Sequence, residues 1–146
     1  MATSPNCKHV LVVEASDLIL TWVVPAIEKL GCLVTTAGDL ITAQRVLQGS
    51  EPLDVILLGD ISQPTHVGPQ TPAAEMALLQ QVRCSPKYRR TPVVIFTDVN
   101  WIDQARQAGA TNWIVKPCGI DSLEAVVLPY LSPTLEDRKK QRHRNA

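Results

Sequence analysis

The chain reads as a doubly wound α/β domain built on one parallel sheet. Three observations predict it. Short, β-branched apolar runs recur along the 146 residues: Val10-Leu11-Val12-Val13, Val55-Ile56-Leu57-Leu58, Val93-Val94-Ile95-Phe96 and Trp113-Ile114-Val115. They do not alternate apolar with polar, which is the pattern of strands buried on both faces. Helical segments with their own start and stop signals separate them. Alternation of this kind implies a parallel sheet with right-handed crossovers.

The elements follow in order. The first strand ends at Glu14. A helix is expected from about Asp17 to Leu30, capped by Ser16 or Asp17 and stopped by Gly31. Pro25 removes one of its hydrogen bonds and should kink it. Leu33-Val34-Thr35 is the second strand. Asp39 caps a helix that carries Leu40, Ala43 and Leu47 on one face and ends at Gly49. The third strand stops at Gly59-Asp60, and a loop with Pro64 and Pro69 follows. Thr71-Pro72 is read as a hydroxyl cap with proline in the first turn of the third helix. That helix ends before Ser85-Pro86. The fourth strand ends at Thr97, a short helix fits Trp101 to Ala108, and Gly109 stops it. The fifth strand ends at Lys116, and the last helix is expected from about Ile120 to Leu131.

Composition narrows the function classes. A hydrophobic content of 45% is enough for a core, and the formal net charge of +0 gives no whole-chain case for nucleic acid. No apolar run approaches membrane length, and Met1-Ala2-Thr3-Ser4-Pro5 lacks the apolar core of a secretory signal. A soluble, cytoplasmic protein without a membrane partner is expected. The cysteines Cys7, Cys32, Cys84 and Cys118 show no paired metal-ligand spacing and read as reduced, small core residues. Residues 1–7 read as an extension, 8–131 as the domain and 132–146 as a tail made basic by Arg138, Lys139, Lys140, Arg142 and Arg144. No aromatic residue interleaves those charges, so base stacking has no support.

Carboxyl ends of parallel strands open on one crevice, where ligands bind. Glu14, Asp60, Thr97 and Lys116 would converge there, a set suited to a metal ion and a phosphoryl group. At this point the chain resembles the receiver domain of bacterial two-component response regulators, over about residues 8–131. The resemblance rests on Val12-Val13-Glu14, Asp60-Ile61-Ser62-Gln63-Pro64, Arg83-Cys84-Ser85-Pro86 through Arg90-Thr91-Pro92-Val93-Val94, Thr97, Gly109-Ala110 and Lys116-Pro117, in that order. It implies a flavodoxin-like five-stranded sheet of order 2-1-3-4-5. It also implies a bacterial signalling protein, not an enzyme beyond self-phosphorylation and dephosphorylation of one aspartate. A histidine kinase or other signalling protein would be its partner. In such receivers an aspartate after the third strand accepts a phosphoryl group, and two acids after the first strand hold magnesium. A hydroxyl and a lysine bind phosphoryl oxygens. Glu14 matches the first acid, Thr97 the hydroxyl and Lys116 the lysine, with Pro117 in the usual proline position. Trp113 matches an aromatic that reports phosphorylation by changing rotamer.

The departures from that pattern carry most of the functional information. Ala15 stands where the second acid belongs, and a methyl cannot ligate magnesium; Asp17 is expected to cap the helix instead. Counted from Asp54-Val55-Ile56-Leu57-Leu58, the acceptor position is Gly59. Counted back from Pro64, it is Asp60. The frames differ by one residue, which turns a strand side chain to the opposite face. Asp60 reaches the site only through a bulge, which Gly59 would permit. Asp98 replaces the usual small residue after the threonine. A carboxylate about 6 Å from a phosphoryl group repels it by about 3 kcal/mol per charge at an effective dielectric of about 20; alternatively Asp98 caps the next helix and points away. The segment from Thr97 to Gly109 is roughly one helical turn shorter than usual, and the loop from Pro64 to Pro72 is longer by about one to two turns.

The sequence therefore supports a degenerate receiver that works by protein–protein interaction, with magnesium-dependent phosphorylation impaired or absent. Any magnesium would be held weakly by Glu14 and Asp60, and no other cofactor is expected. The alternative is a working phosphoacceptor using Asp60. A nucleotide or flavin binder is disfavoured, because Glu14-Ala15-Ser16-Asp17 has no glycine-rich phosphate cradle. No fused output domain is expected, and output would then pass through a partner protein. A homodimer through the fourth helix, fifth strand and fifth helix is the expected self-contact, with Trp101 near its edge.

Overall fold

The computed structural model describes residues 7–49, 51–61, 72–97, 99–115 and 119–131. Five parallel strands form one sheet in the order β2-β1-β3-β4-β5. They are β1 His9–Val13, β2 Leu33–Ala37, β3 Val55–Leu58, β4 Val93–Thr97 and β5 Asn112–Val115. The helices are α1 Asp17–Glu28, α2 Leu40–Gln48, α3 Ala73–Cys84, α4 Ile102–Ala108 and α5 Ile120–Leu131. This is the predicted flavodoxin-like, doubly wound architecture.

Alternation along the strands makes two cores. Val10, Val12, Leu57, Val94, Phe96 and Ile114 pack under α1 and α5 with Val23, Ile27, Leu123 and Val127. Leu11, Val13, Ile56, Leu58, Val93 and Ile95 face the other way, toward α2, α3 and α4, with Leu78, Leu79, Val82 and Tyr88. Burial on both faces holds for β1 beyond its first residue, and for β3 and β4 throughout. It fails for β2 and β5, which include exposed residues. Each lies at an edge, so a neighbouring strand covers only one flank.

Local signals placed most helix ends. The Ile19 N–H donates to Ser16 Oγ at 3.4 Å, and Thr42 N–H donates to Asp39 Oδ1 at 2.7 Å. The Thr42 backbone bond holds the Asp39 carboxyl below the usual carboxylate range. Its contribution is therefore present above the ordinary aspartate pKa and is lost as pH falls through the lowered value. Gly31 follows α1 at φ +87° and Gly109 follows α4 at φ +109°, conformations that cost a side chain. Pro25 lies inside α1 on its exposed side, where the carbonyl it orphans can meet water.

Three expectations need correction. α3 begins at Ala73, with Pro72 at the cap position and no side-chain cap bond; Thr71 lies outside the described residues. A 3-10 turn at Val99–Trp101 precedes α4, which starts at Ile102. Of the described cysteines only Cys32 is a core residue, since Cys84 is exposed and Cys7 is half-buried with its thiol donating to Gly31 O at 3.1 Å.

One arginine ties the amino edge of the sheet together. Arg83, in the last turn of α3, donates from Nε to Gly109 O at 2.8 Å. Its Nη1 donates to Thr91 O at 2.8 Å and Arg89 O at 3.0 Å, and Nη2 donates to Thr111 Oγ1 at 3.0 Å. Thr111 Oγ1 also accepts the Val93 N–H at 3.0 Å. The guanidinium thus joins the end of α3, the approach to β4 and the turn from α4 to β5. Burial lowers its pKa somewhat, but an arginine stays charged at any working pH. Lysine cannot fork to these acceptors. We expect Arg83→Lys and Arg83→Met each to lose about 2–4 kcal/mol in urea unfolding. A loss within about 0.5 kcal/mol of wild type, the usual range of a surface substitution, would remove the tie from the account.

Candidate functional site

The crevice sits at the carboxyl ends of β1, β3 and β4, and its geometry begins with strand register. Val13 pairs with Leu58, and Leu58 with Ile95. The next bond is regular, from Gly59 N–H to Val13 O at 2.6 Å. The one after is not: Ala15 N–H donates to Asp60 O at 3.0 Å. In an unbroken parallel ladder it would reach the carbonyl of residue 59. Two residues, Gly59 and Asp60, therefore stand opposite the single residue Glu14. That is a bulge. Core packing agrees. Leu58 and Ile61 lie in the same core, although strict alternation would put residues three apart on opposite faces. This extra residue lies where the sequence allowed two frames, one ending on Gly59 and the other on Asp60.

Glu14 fills the space the bulge leaves. Its side chain is buried, at 3% exposure. Oε1 accepts the Asp60 N–H at 3.2 Å, and Oε2 accepts the Ser16 N–H at 3.1 Å. The carboxylate lies directly against the Gly59 α-carbon. A Cβ added there would collide with Oε1 and sit 2.9 Å from the carboxyl carbon. Gly59 is thus the one residue type that leaves Glu14 its place. The methyl of Ala15 adds no donor atom beside it.

A second buried acid, which the sequence analysis did not identify, holds the other side. Glu75 in the first turn of α3 is 5% exposed, and its Oε1 accepts the Ile61 N–H at 3.0 Å. Consecutive N–H groups of the bulge, at Asp60 and Ile61, thus end on carboxylates from opposite sides. An acid in a first helical turn usually complements the helix dipole. Its position in the first turn after Pro72 was the only trace in the sequence.

Of the other candidates, Thr97 is buried at the end of β4, where it pairs with Val115. Asp60 is half-buried beside it in the sheet order. Trp113 pairs with Ile95 and is half-buried, packed against the core that includes Ala105. Trp101 is half-buried at the end of the 3-10 turn. Asp98, Lys116 and Pro117 lie outside the described residues. Among the described residues no three His, Cys, Asp or Glu side chains are grouped to hold a metal ion.

The chain has the fold of response-regulator receiver domains. It superposes on the chemotaxis response regulator CheY4 of Vibrio cholerae with a TM-score of 0.69 at 24% identity, covering 85% of this chain and 98% of that one. The receiver domain of a signal transduction histidine kinase from Syntrophus aciditrophicus also gives 0.69 at 24% identity, covering 88% and 98%. The receiver domain of sensor histidine kinase PA1611 from Pseudomonas aeruginosa, which holds magnesium in its cleft, gives 0.67 at 22% identity, covering 86% and 98%. In sequence the chain is 27% identical over 124 residues to the hybrid signal transduction protein dokA of Dictyostelium discoideum. That match covers 85% of this chain and 7% of the relative's length. No protein-family model matches the chain.

If Glu14 and Gly59 share one space, their substitutions must couple. Gly59→Ala should cost about 1–3 kcal/mol, the range for overpacking a filled site. In a Glu14→Ala background the same change should cost at least about 1 kcal/mol less. Additive losses in the double-mutant cycle would show that the carboxylate does not occupy this space.

Proposed function

We propose that this chain is a receiver-like interaction module of phosphorelay signalling, with magnesium-dependent phosphorylation impaired or absent. The observation that carries the reading is the Glu14 carboxylate seated over Gly59 with both oxygens bonded to backbone N–H groups. A magnesium ion wants a near-octahedral oxygen shell with one or two free carboxylates. Here the first-strand carboxylate is committed to the bulge, and the residue beside it is alanine. These residues do not fit the magnesium site of the fold family.

A module of this kind works through its shape. Its surface is set by the fold and does not wait for a phosphoryl group. The partner is a histidine kinase or another signalling protein, met on the face of α4, β5 and α5. That face carries Val99 at 62% and Val115 at 39% exposure, with Trp101 half-buried at its edge. Aromatic residues are favoured interface anchors. Among the described residues no helix is long and apolar enough to cross a membrane.

One observation favours the second reading, phosphorylation on Asp60. The bulge at Gly59-Asp60 is the device that this aspartate needs to reach the crevice. The two readings separate in one experiment. Incubation with acetyl phosphate and magnesium, followed by mass spectrometry, should leave the chain unmodified, and amide shifts should give no saturable sub-millimolar magnesium response at Glu14 and Asp60. Ala15→Asp should strengthen any magnesium binding. Stable phosphorylation of Asp60 would replace the first reading with the second. Modification of any other aspartate would refute both.

A further inference from the structure

Parallel winding turns a local rule about charge into a property of the whole molecule. Acids favour helix starts and cations favour helix ends, because each complements the helix dipole. In a parallel sheet every crossover helix carries the chain from the carboxyl edge back to the amino edge. All helix starts therefore share one edge, and all helix ends the other. Asp17, Asp39 and Asp121 stand at helix starts, with Glu75 in a first turn and Glu124 in a second. Glu14 and Asp60 follow strands at the same edge. Lys29, Arg45 and Arg83 stand at helix ends. Lys8 precedes β1, and Lys87, Arg89 and Arg90 lie between α3 and β4. Asp103 and Arg106 pair within the short α4 at 3.0 Å and cancel. Apart from that pair, the described residues put seven acids and no lysine or arginine at the carboxyl edge. They put seven cations at the amino edge against three acids, Glu28, Glu51 and Asp54. The helix dipoles oppose this polarity by about half a charge at each helix end, and five helices leave both signs unchanged.

The amino edge carries more charge than helix dipoles ask for. Lys87, Arg89 and Arg90 lie beyond the last turn of α3, where the dipole has fallen off. All three are exposed, and none has a carboxylate partner among the described residues. Their turn is fixed from inside. Tyr88 is 1% exposed, and its hydroxyl donates to Glu51 O at 2.6 Å. Arg83 holds Arg89 O and Thr91 O. The backbone that presents the three cations is thus already ordered, which lowers the cost of docking them.

The complement to this edge is in the same chain. Asp17, Asp39 and Asp121 are exposed at the carboxyl edge. A formal net charge of +0 leaves no net repulsion between copies to oppose the attraction of unlike edges. We propose that the amino edge of one copy docks on the carboxyl edge of a second copy, head to tail. The contact is heterologous, so it extends into short open chains or closes into a ring. The self-contact then lies at the sheet edges, and the face of α4, β5 and α5 stays free for a partner of another kind. The pairing holds whether or not Asp60 accepts a phosphoryl group.

Sedimentation equilibrium of the full 146-residue chain tests it, from micromolar to near-millimolar concentration. Association is expected at about 20 mM salt and should be at least about tenfold weaker at about 500 mM. Two variants separate the edges. Lys87→Glu with Arg89→Glu and Arg90→Glu reverses the basic turn, and Asp17→Lys with Asp121→Lys reverses part of the acidic edge. All five side chains are exposed, so thermal unfolding should change little. Each variant alone should associate at least about tenfold more weakly than the unmodified chain. An equimolar mixture of the two should recover association, because each supplies the edge the other lacks. Amide shifts of the unmodified chain on dilution need no variant; they should move at residues 87–90 and in the first turns of α1 and α5. A monomer throughout, association indifferent to either variant, a mixture that recovers nothing, or a chain that stays monomeric while it binds duplex DNA or RNA would each overturn the proposal.

Discussion

The buried carboxylate of Glu14 governs the carboxyl edge of this sheet. A carboxylate out of water must find hydrogen-bond donors. Here it finds two backbone N–H groups, one at Ser16 in the turn after β1 and one at Asp60, 46 residues from Glu14 along the chain. That arrangement needs room over β3, which only glycine at residue 59 leaves, and an N–H turned inward, which only the bulge supplies. Glutamate, glycine and bulge are one device. Glu75 completes it from α3 by taking the next N–H. The chain that follows β3 is therefore tied to its neighbours by two acids.

The two ends of the sheet are held by opposite charges. At the amino edge the Arg83 guanidinium gathers backbone carbonyls. At the carboxyl edge Glu14 and Glu75 gather backbone N–H groups. Loops leave unpaired polar groups at both edges of a parallel sheet, and a central ionised side chain can satisfy several at once. The arginine works through carbonyls at the amino edge, and the carboxylates through N–H groups at the other.

The domain also offers surfaces. Its two helical layers differ in kind. On one side α2, α3 and α4 form a closed layer over a large core, ending in a short helix beside Trp101. On the other, α1 and α5 leave Leu18, Pro25, Leu128 and Pro129 exposed.

By itself the sequence determined the strands, their parallel winding and most helix ends. These depend on signals a few residues wide: unalternating apolar runs, Ser16 and Asp39 as caps, glycine at residues 31 and 109. It also brought Glu14, Asp60 and Thr97 to one edge, because each follows a strand of known direction. The mismatch of frames around Gly59 pointed to an extra residue. What the tertiary structure alone decided was where that residue goes and what Glu14 does there. The deciding bonds join residues 46 apart at Asp60 and Glu14, 14 apart at Ile61 and Glu75, and 26 apart at Arg83 and Gly109. Local pattern is blind to contacts at such separations. Whether a carboxylate is a ligand or a brace depends on which backbone groups the folded chain turns toward it.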